Sequence, residues 1–281
     1  MMLSPLLDAI IDRALAEDLG SGDVTSEALV PEDKRAVARA VAKQPLVAAG
    51  ADAFARVFYR VDPGVRVESL VAEGTSVAAG TALWVVEGRA RALLAAERTA
   101  LNFAQRLCGI ATLTARFVAA VPNGSKLRII DTRKTTPGLR ALERAAVRAG
   151  GGHNHRDNLG TAVLIKDNHV ALAGGVAAAI AKARARATHV TRVEVEVDTL
   201  EQLDEALAAG AEVVLLDNFT NAAIEEALRR TKGRALVEVS GGITVERIAE
   251  LARLGVDVVS VGALTHSPGA SDISLEIEPL A

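Results

Sequence analysis

From Pro5 to Leu19 the apolar residues Leu6, Leu7, Ile10, Ile11, Ala14 and Leu15 recur with a helical period, which Gly20-Ser21-Gly22 ends. Asp23-Val24-Thr25-Ser26 then reads as a turn. Between Ala36 and Gly88 the texture is strand-like, in the runs ARAVAKQPLVAAG and VRVESLVAEGTSVAAGTALWVVEG, with Gly74, Gly80 and Gly88 as turn residues. A helix is predicted over Leu93–Leu113. Its apolar side carries Leu94, Leu101, Phe103 and Leu107, and its polar side Arg98, Asn102, Gln105 and Arg106. That polar side is a solvated stripe unless an anion lies against it.

Beyond Pro122-Asn123-Gly124 short β-rich runs alternate with Ala-rich helical ones. The predicted strands are Leu127–Ile130, Val163–Ile165, Arg192–Val197, Glu212–Leu216, Ala235–Val239 and Asp257–Val261. Helices are predicted over Gly175–Ala187, Thr199–Ala209, Asn221–Thr231 and Thr244–Leu254. The strand spacing is that of βα units, so this is an α/β fold with a parallel sheet, either a barrel or an open doubly wound sheet. A full (β/α) barrel has about eight strands. The predicted barrel is therefore open and incomplete, or it takes in a strand that the pattern hides. Pro268-Gly269 breaks the repeat, and Ile273–Ile277 is a last alternating strand that returns to the N-terminal part.

The chain has 281 residues, enough for one large domain or two moderate ones. Half of it is hydrophobic, with only Trp84, Tyr59 and five Phe as aromatics, so the core is built from Ala, Val, Leu and Ile. A net charge of −3 argues against general attraction to nucleic acid or to a membrane. Cys108 has no partner for an intrachain disulfide, and no stretch has the length and apolarity of a membrane span or the layout of a signal peptide. The expectation is a soluble cytoplasmic protein.

Against that acidic background the stretch from Asp131 to His169 is locally cationic, and the predicted strands end on residues suited to a charged ligand. These are Arg133 and Lys134, Lys166, Glu196, Asp217, Ser240-Gly241-Gly242, and Val261-Gly262. Interior strand ends otherwise have little use for desolvated charge, whereas ligands of parallel α/β proteins bind there. Glu196 and Asp217 close neighbouring strands, where two carboxylates can hold Mg²⁺ together with substrate oxygens; the alternative is a structural ion pair with nearby cations. Glu194, on the same face as Glu196, competes for that assignment. The glycine loops after the last two strands suit a phosphate, because backbone N–H groups can approach it closely. His153-Asn154-His155 has too few partners at ligand spacing for zinc, so His155 and Arg156 read as donors to an anion. Arg133 offers a fork for a carboxylate that lysine cannot reproduce. Lys166 also fits the Schiff-base nucleophile of a barrel aldolase.

The motifs DTRKTTPGLR, GGHNHR, LIKDNH, EVEVD, LLDN, SGGI and VGALTHS, preceded by AEDLGSGDVT and ERTALNFAQRLCGIAT, run along nearly the whole chain. In order and spacing they resemble quinolinate phosphoribosyltransferase, a family of type II phosphoribosyltransferases. The resemblance implies an N-terminal α/β sandwich over 1–112, completed by 268–281, and an open α/β barrel over 113–267. It implies a homodimer and a reaction in which quinolinate and phosphoribosyl pyrophosphate, with Mg²⁺, give nicotinate mononucleotide, pyrophosphate and CO₂. Position by position, Arg133, His155, Arg156 and Lys166 match the quinolinate pocket, with Lys134 beside them and Arg98 matching an arginine supplied by the neighbouring subunit. Glu196 and Asp217 match the carboxylates near ribose and metal, and Ser240, Gly241, Gly262 and His266 the phosphate loops. Catalytic roles fall to Lys134, Lys166, Glu196 and Asp217. Asn158 and Thr161 depart from the family's usual NHR-x-Gly-Leu-x-Asp in the loop after Arg156. A molybdate-associated group shares the fold but is not expected to keep this full set of pocket cations.

Overall fold

A computed structural model describes residues 5–280. The chain divides into two compact units. One runs to Ala115 and includes Thr135–Gly151 and the chain from Leu264; the other comprises Arg116–Lys134 and Gly152–Ala263.

The chain opens with helix α1 (Pro5–Leu19), which buries Leu7, Ile11 and Leu15. The Asp23–Ser26 segment is not a turn. It begins helix α2 (Val24–Leu29), because the Asp23 carboxylate accepts the Ser26 backbone N–H at 3.0 Å and serves as N-cap. Strands β1 (Arg35–Ala42) and β2 (Leu46–Val47) follow. In β1 the alternation buries Ala36, Ala38 and Ala40, while Arg35 and Arg39 reach outward to Glu87 and Glu278.

The strand-like reading of 36–88 is broken by helix α3 (Ala51–Val61). Its N-cap is Gly50, with no side chain to signal a helix start; the capping group is Glu73, whose carboxylate accepts from the backbone N–H groups of Gly50 and Ala51 at 3.2 and 2.7 Å. Phe54, Val57 and Phe58 are fully buried on one face, and Phe54 stacks on Trp84 with ring centroids 4.6 Å apart. Then come β3 (Arg66–Ser69), β4 (Ser76–Val77), β5 (Ala82–Arg89) and the 30-residue α4 (Ala90–Ala119). Small residues let other segments approach α4 closely: a Cβ at Gly109 would collide with the Gly269 carbonyl, and one at Gly150 with the Ala111 carbonyl.

The remaining elements are β6 (Arg128–Ile130), α5 (Arg140–Ala149), β7 (Val163–Ile165), α6 (Asp167–Ala173), α7 (Val176–Arg186), β8 (Val193–Val197), α8 (Leu200–Ala208) and β9 (Val213–Asp217), and then α9 (Asn221–Thr231), β10 (Leu236–Ser240), α10 (Val245–Leu254), β11 (Val258–Ser260), α11 (Ala263–His266) and β12 (Ile273–Pro279). The first unit holds an antiparallel sheet in the order β12-β1-β5-β3, closed at one edge by the C-terminal strand. Helix α5 groups with this unit rather than with the barrel. Its Glu143 has a wholly buried side chain that pairs with Arg106 of α4 at 2.7 Å. The anion facing the polar side of α4 at Arg106 is thus internal.

The second unit is built on six parallel strands in the order β6-β11-β10-β9-β8-β7. Its edges are β6 and β7. Beside β6 a single parallel bridge, Ile130 to His153, brings a short further segment to that edge.

Candidate active site

Strand alternation determines which side chains share the barrel's inner face. In β8, Val193, Val195 and Val197 point one way and Glu194 and Glu196 the other. The β7–β8 register pairs Ile165 with Val195, so the residues just beyond, Lys166 and Glu196, meet. The Lys166 Nζ lies 2.9 Å from Glu196 Oε2, with the lysine half exposed and the glutamate nearly buried. Lys166 opens α6, where its backbone N–H donates to His169 Nδ1 at 3.0 Å.

Asp217 ends β9, level with Ser240 at the end of β10. Glu196 is level with Leu215, one alternation deeper than Asp217. Asn218, which sequence reasoning left without a role, donates to Asp217 Oδ2 at 2.8 Å while its backbone takes a left-handed conformation with φ 57°. The Asn218 side chain occupies the space that a Cβ at Gly241 would need, and Gly241 itself has φ 88°. Glycine at that position is therefore required twice over, by conformation and by space.

At the end of β6, Asp131 is wholly buried, and its carboxylate accepts from Asn154 Nδ2 at 2.6 Å and from the His155 backbone N–H at 2.7 Å. This anchors the segment carrying His155 and Arg156, a function that the sequence signals only as an acid ending a strand. Arg133 and Lys134 come two and three residues later, half-buried and exposed. Burial first, and then the charge of Arg133, lower the Arg156 pKa from its ordinary value, so the two guanidinium groups lie close enough to feel each other. An anion shared by the two forks would relieve their repulsion.

Beneath the Lys166–Glu196 pair lies a second cluster. His155 Nε2 is 3.3 Å from Glu194 Oε2 and 3.8 Å from Glu238 Oε1, with all three side chains nearly buried. The ring's other nitrogen, Nδ1, accepts the Arg156 backbone N–H at 2.6 Å, which leaves Nε2 to carry the proton. Burial pulls the His155 pKa down, but the Glu194 hydrogen bond and the charges of Glu238 and Glu194 outweigh it and leave the value raised. The Glu238 pKa is also raised, by burial and then by the charge of Glu194. Glu194 thus faces His155, and Glu196 faces Lys166.

Gly262 comes just beyond β11, and Gly241 follows Ser240, the last residue of β10, so both glycine loops stand at the same strand-end side as Asp217. Arg98 and His266 belong to the first unit. Arg98 is exposed on α4, and His266 ends α11 with its Nδ1 2.5 Å from Ser267 Oγ.

A family model described as the C-terminal domain of quinolinate phosphoribosyl transferase matches residues 110–276, and one for the N-terminal domain matches residues 23–108. The chain belongs to the quinolinate phosphoribosyltransferase family. It is 47% identical over 274 residues to a nicotinate-nucleotide pyrophosphorylase (carboxylating) of Mycobacterium leprae, covering 95% of each chain. Among solved structures it resembles NadC from Streptococcus pyogenes, with a TM-score of 0.95 and 41% identity over the whole of both chains. A nicotinate-nucleotide pyrophosphorylase from Francisella tularensis gives a TM-score of 0.90 at 37% identity, covering 97% of this chain and 96% of that one. The residues at which this chain departs from the family's usual loop hold that loop together. The Thr161 hydroxyl oxygen accepts the Asp157 backbone N–H at 3.2 Å, and Asn158 Oδ1 accepts that of Gly160 at 2.8 Å.

Proposed function

We propose that this chain transfers phosphoribosyl from phosphoribosyl pyrophosphate to quinolinate with decarboxylation, giving nicotinate mononucleotide, pyrophosphate and CO₂ for NAD biosynthesis. The observation that carries the reading is the set of strand-end charges: Lys166 paired with Glu196, the adjacent Asp217, and the neighbouring Arg133 and Arg156, in a chain of net charge −3. Both substrates are polyanions, and local cations offset their repulsion. Arg133 and Arg156 supply forks for carboxylates. When the bond from ribose to pyrophosphate breaks, positive charge grows on the sugar, and Asp217 or Glu196 stabilises it electrostatically. The ring nitrogen takes up the sugar and becomes quaternary, so the electron pair left on the adjacent carbon as CO₂ departs is stabilised until a proton replaces it. The 2.9 Å contact with Glu196 supports a charge-pairing role for Lys166 rather than that of an aldolase nucleophile.

Mg²⁺ belongs with this reading. Two hard carboxylates at adjacent strand ends, Glu196 and Asp217, suit an ion that keeps waters and phosphate oxygens among its ligands. When bound, the ion would neutralise charge on the pyrophosphate. The active assembly is a homodimer in the cytoplasm, with Arg98 acting across the interface; its exposed place on α4 is compatible with that role. Among the described residues no helix is long and apolar enough to cross a membrane.

Pyrophosphate release with quinolinate, with nicotinate and with no base tests the reaction. Release is expected with quinolinate only, because nicotinate lacks one of the two carboxylates that the guanidinium forks would take, and a buried ion pair that loses one partner costs about 3–5 kcal/mol. Equal turnover of nicotinate would reject the substrate assignment. For the dimer, inactive Arg98→Ala and Lys166→Ala proteins should regain activity when mixed, since a heterodimer has one site with both residues intact. No recovery despite demonstrated subunit exchange would place Arg98 outside the active site.

A further inference from the structure

The layer beneath the strand-end charges contains more carboxyl groups than the reaction just described uses. Glu194 and Glu238 are 9% and 4% exposed, and one oxygen of each, Oε1, is buried without a hydrogen-bond partner. Burying two carboxyls side by side is costly unless something is gained. What they face is one imidazole: one oxygen of each lies, with a His155 nitrogen, in a group whose members are all within 4.8 Å of one another. The opposite nitrogen of that ring accepts the backbone N–H of Arg156. His155 therefore bridges two buried acids on β8 and β10 to the main chain of a residue assigned to the quinolinate pocket.

We infer that Glu194 and Glu238 are positioning residues, which lock the His155 ring with its Nε2–H directed into the barrel and so set the orientation of Arg156 toward the pyridine dicarboxylate. This rests on the proposed function for the identity of the ligand. The physical logic is that of an outer shell: a ring held on one side only can rotate, and the neighbouring main chain moves with it. With Nε2–H held by Glu194, the ring plane is fixed and Nδ1 is presented to the Arg156 N–H. Glu238 Oε1 lies 3.8 Å from the same Nε2, and the Glu238 carboxyl also interacts with that of Glu194. Misplacement of a substrate-holding group by a fraction of an ångström to an ångström costs up to about a hundredfold in rate.

The same three donors could take a divalent transition-metal ion, since one histidine and two carboxylates are a workable set. Nε2 cannot bind an ion and donate to Glu194 at once, so the two readings exclude each other.

The test compares the intact protein with Glu194→Ala, Glu194→Gln and Glu238→Gln. In the unaltered protein, ¹⁵N-edited NMR of the His155 ring should show a slowly exchanging Nε2–H proton. Glu194→Ala should lose that signal and raise the KM for quinolinate about tenfold or more, with the KM for phosphoribosyl pyrophosphate within about twofold of normal. Glu194→Gln, which keeps an acceptor for Nε2–H, should recover most of both, and Glu238→Gln should raise the quinolinate KM by a smaller factor. The inference is overturned if the unaltered ring lacks a protected Nε2–H, if Glu194→Ala leaves the signal and the quinolinate KM unchanged, if both KM values rise together, or if Zn²⁺ titrated into the unaltered protein binds tightly and Glu194→Ala abolishes that binding. Should the alanine variant fail to fold, the ring signal of the unaltered protein and the Gln variants still decide. An unaltered protein with no turnover of quinolinate but a protected Nε2–H would reject the reaction and leave the ring's positioning standing.

Discussion

Glu196 and Glu194 sit two residues apart on β8 and point to the same face, yet they belong to different chemistries. Glu196, itself nearly buried, ends up beside a half-exposed lysine near the ends of the neighbouring strands. Glu194, one alternation deeper, meets a nearly buried histidine and a second buried acid. At the upper level charges are paired one to one and remain accessible to a ligand. At the lower level two acids share one imidazole, and burial with like-charge repulsion favours the protonated form of Glu238. The same residue type, on the same strand, is thus suited to handling substrate charge in one place and to holding a ring in the other. The two glutamates are buried almost alike, so the partner makes the difference: a half-exposed lysine above and a nearly buried histidine below.

The strongest way to break that contrast is at the upper level. Asp217→Asn keeps the shape and removes the charge, and it should lower kcat about a hundredfold to a thousandfold while the melting temperature stays nearly unchanged. Thermal melts beside pyrophosphate-release rates would show this. A large loss of stability with near-normal turnover would mean that Asp217 is structural, and the distinction between the two levels would fail.

A pH series on Glu238→Gln probes the lower level. The folded-state pKa of Glu238 lies above the ordinary carboxylate value, so the folded protein holds a proton there that the unfolded chain has already released. Stability from this group is therefore present at acidic pH and is lost as pH rises from the ordinary range of about 4.3 through the raised folded value. Glu238→Gln should flatten this decline and melt above the unaltered protein at alkaline pH. Parallel melting curves for the two proteins across the range would contradict the burial argument.

The smallest effect is expected at the rim. Thr161 braces the loop after Arg156 through an exposed contact of 3.2 Å to the Asp157 N–H. Thr161→Ala should change the quinolinate KM by only a few-fold and stability by about 0.5 kcal/mol or less. Steady-state kinetics would check it, and a loss as large as that of Asp217→Asn would move this loop into the reaction itself.

Much of the architecture was legible in local pattern. The runs at Val163–Ile165 and Asn221–Thr231 form a strand and a helix with those bounds, and the bounds of the other barrel strands shift by one residue at one or both ends. Buried parallel strands are short apolar runs with polar residues at their ends, so a one-dimensional reading finds them. Helix α3 escaped because its cap comes from Glu73, 22 residues beyond Ala51. Helix α5 is not among the predicted helices, and the resemblance places its residues within the barrel; contacts such as the buried Arg106–Glu143 pair tie it to the first unit.

By itself the sequence determined which residue types stand at the strand ends, because strand period and chain order are local properties. It also carried the motifs by which the family is recognised. Only the tertiary structure decided that Glu196 meets Lys166 while Glu194 meets His155, and that Asn218 claims the space at Gly241. Those meetings depend on the register of one strand against the next and on how far each side chain is withdrawn from water. Both are set by contacts between residues distant along the chain, which no local period encodes.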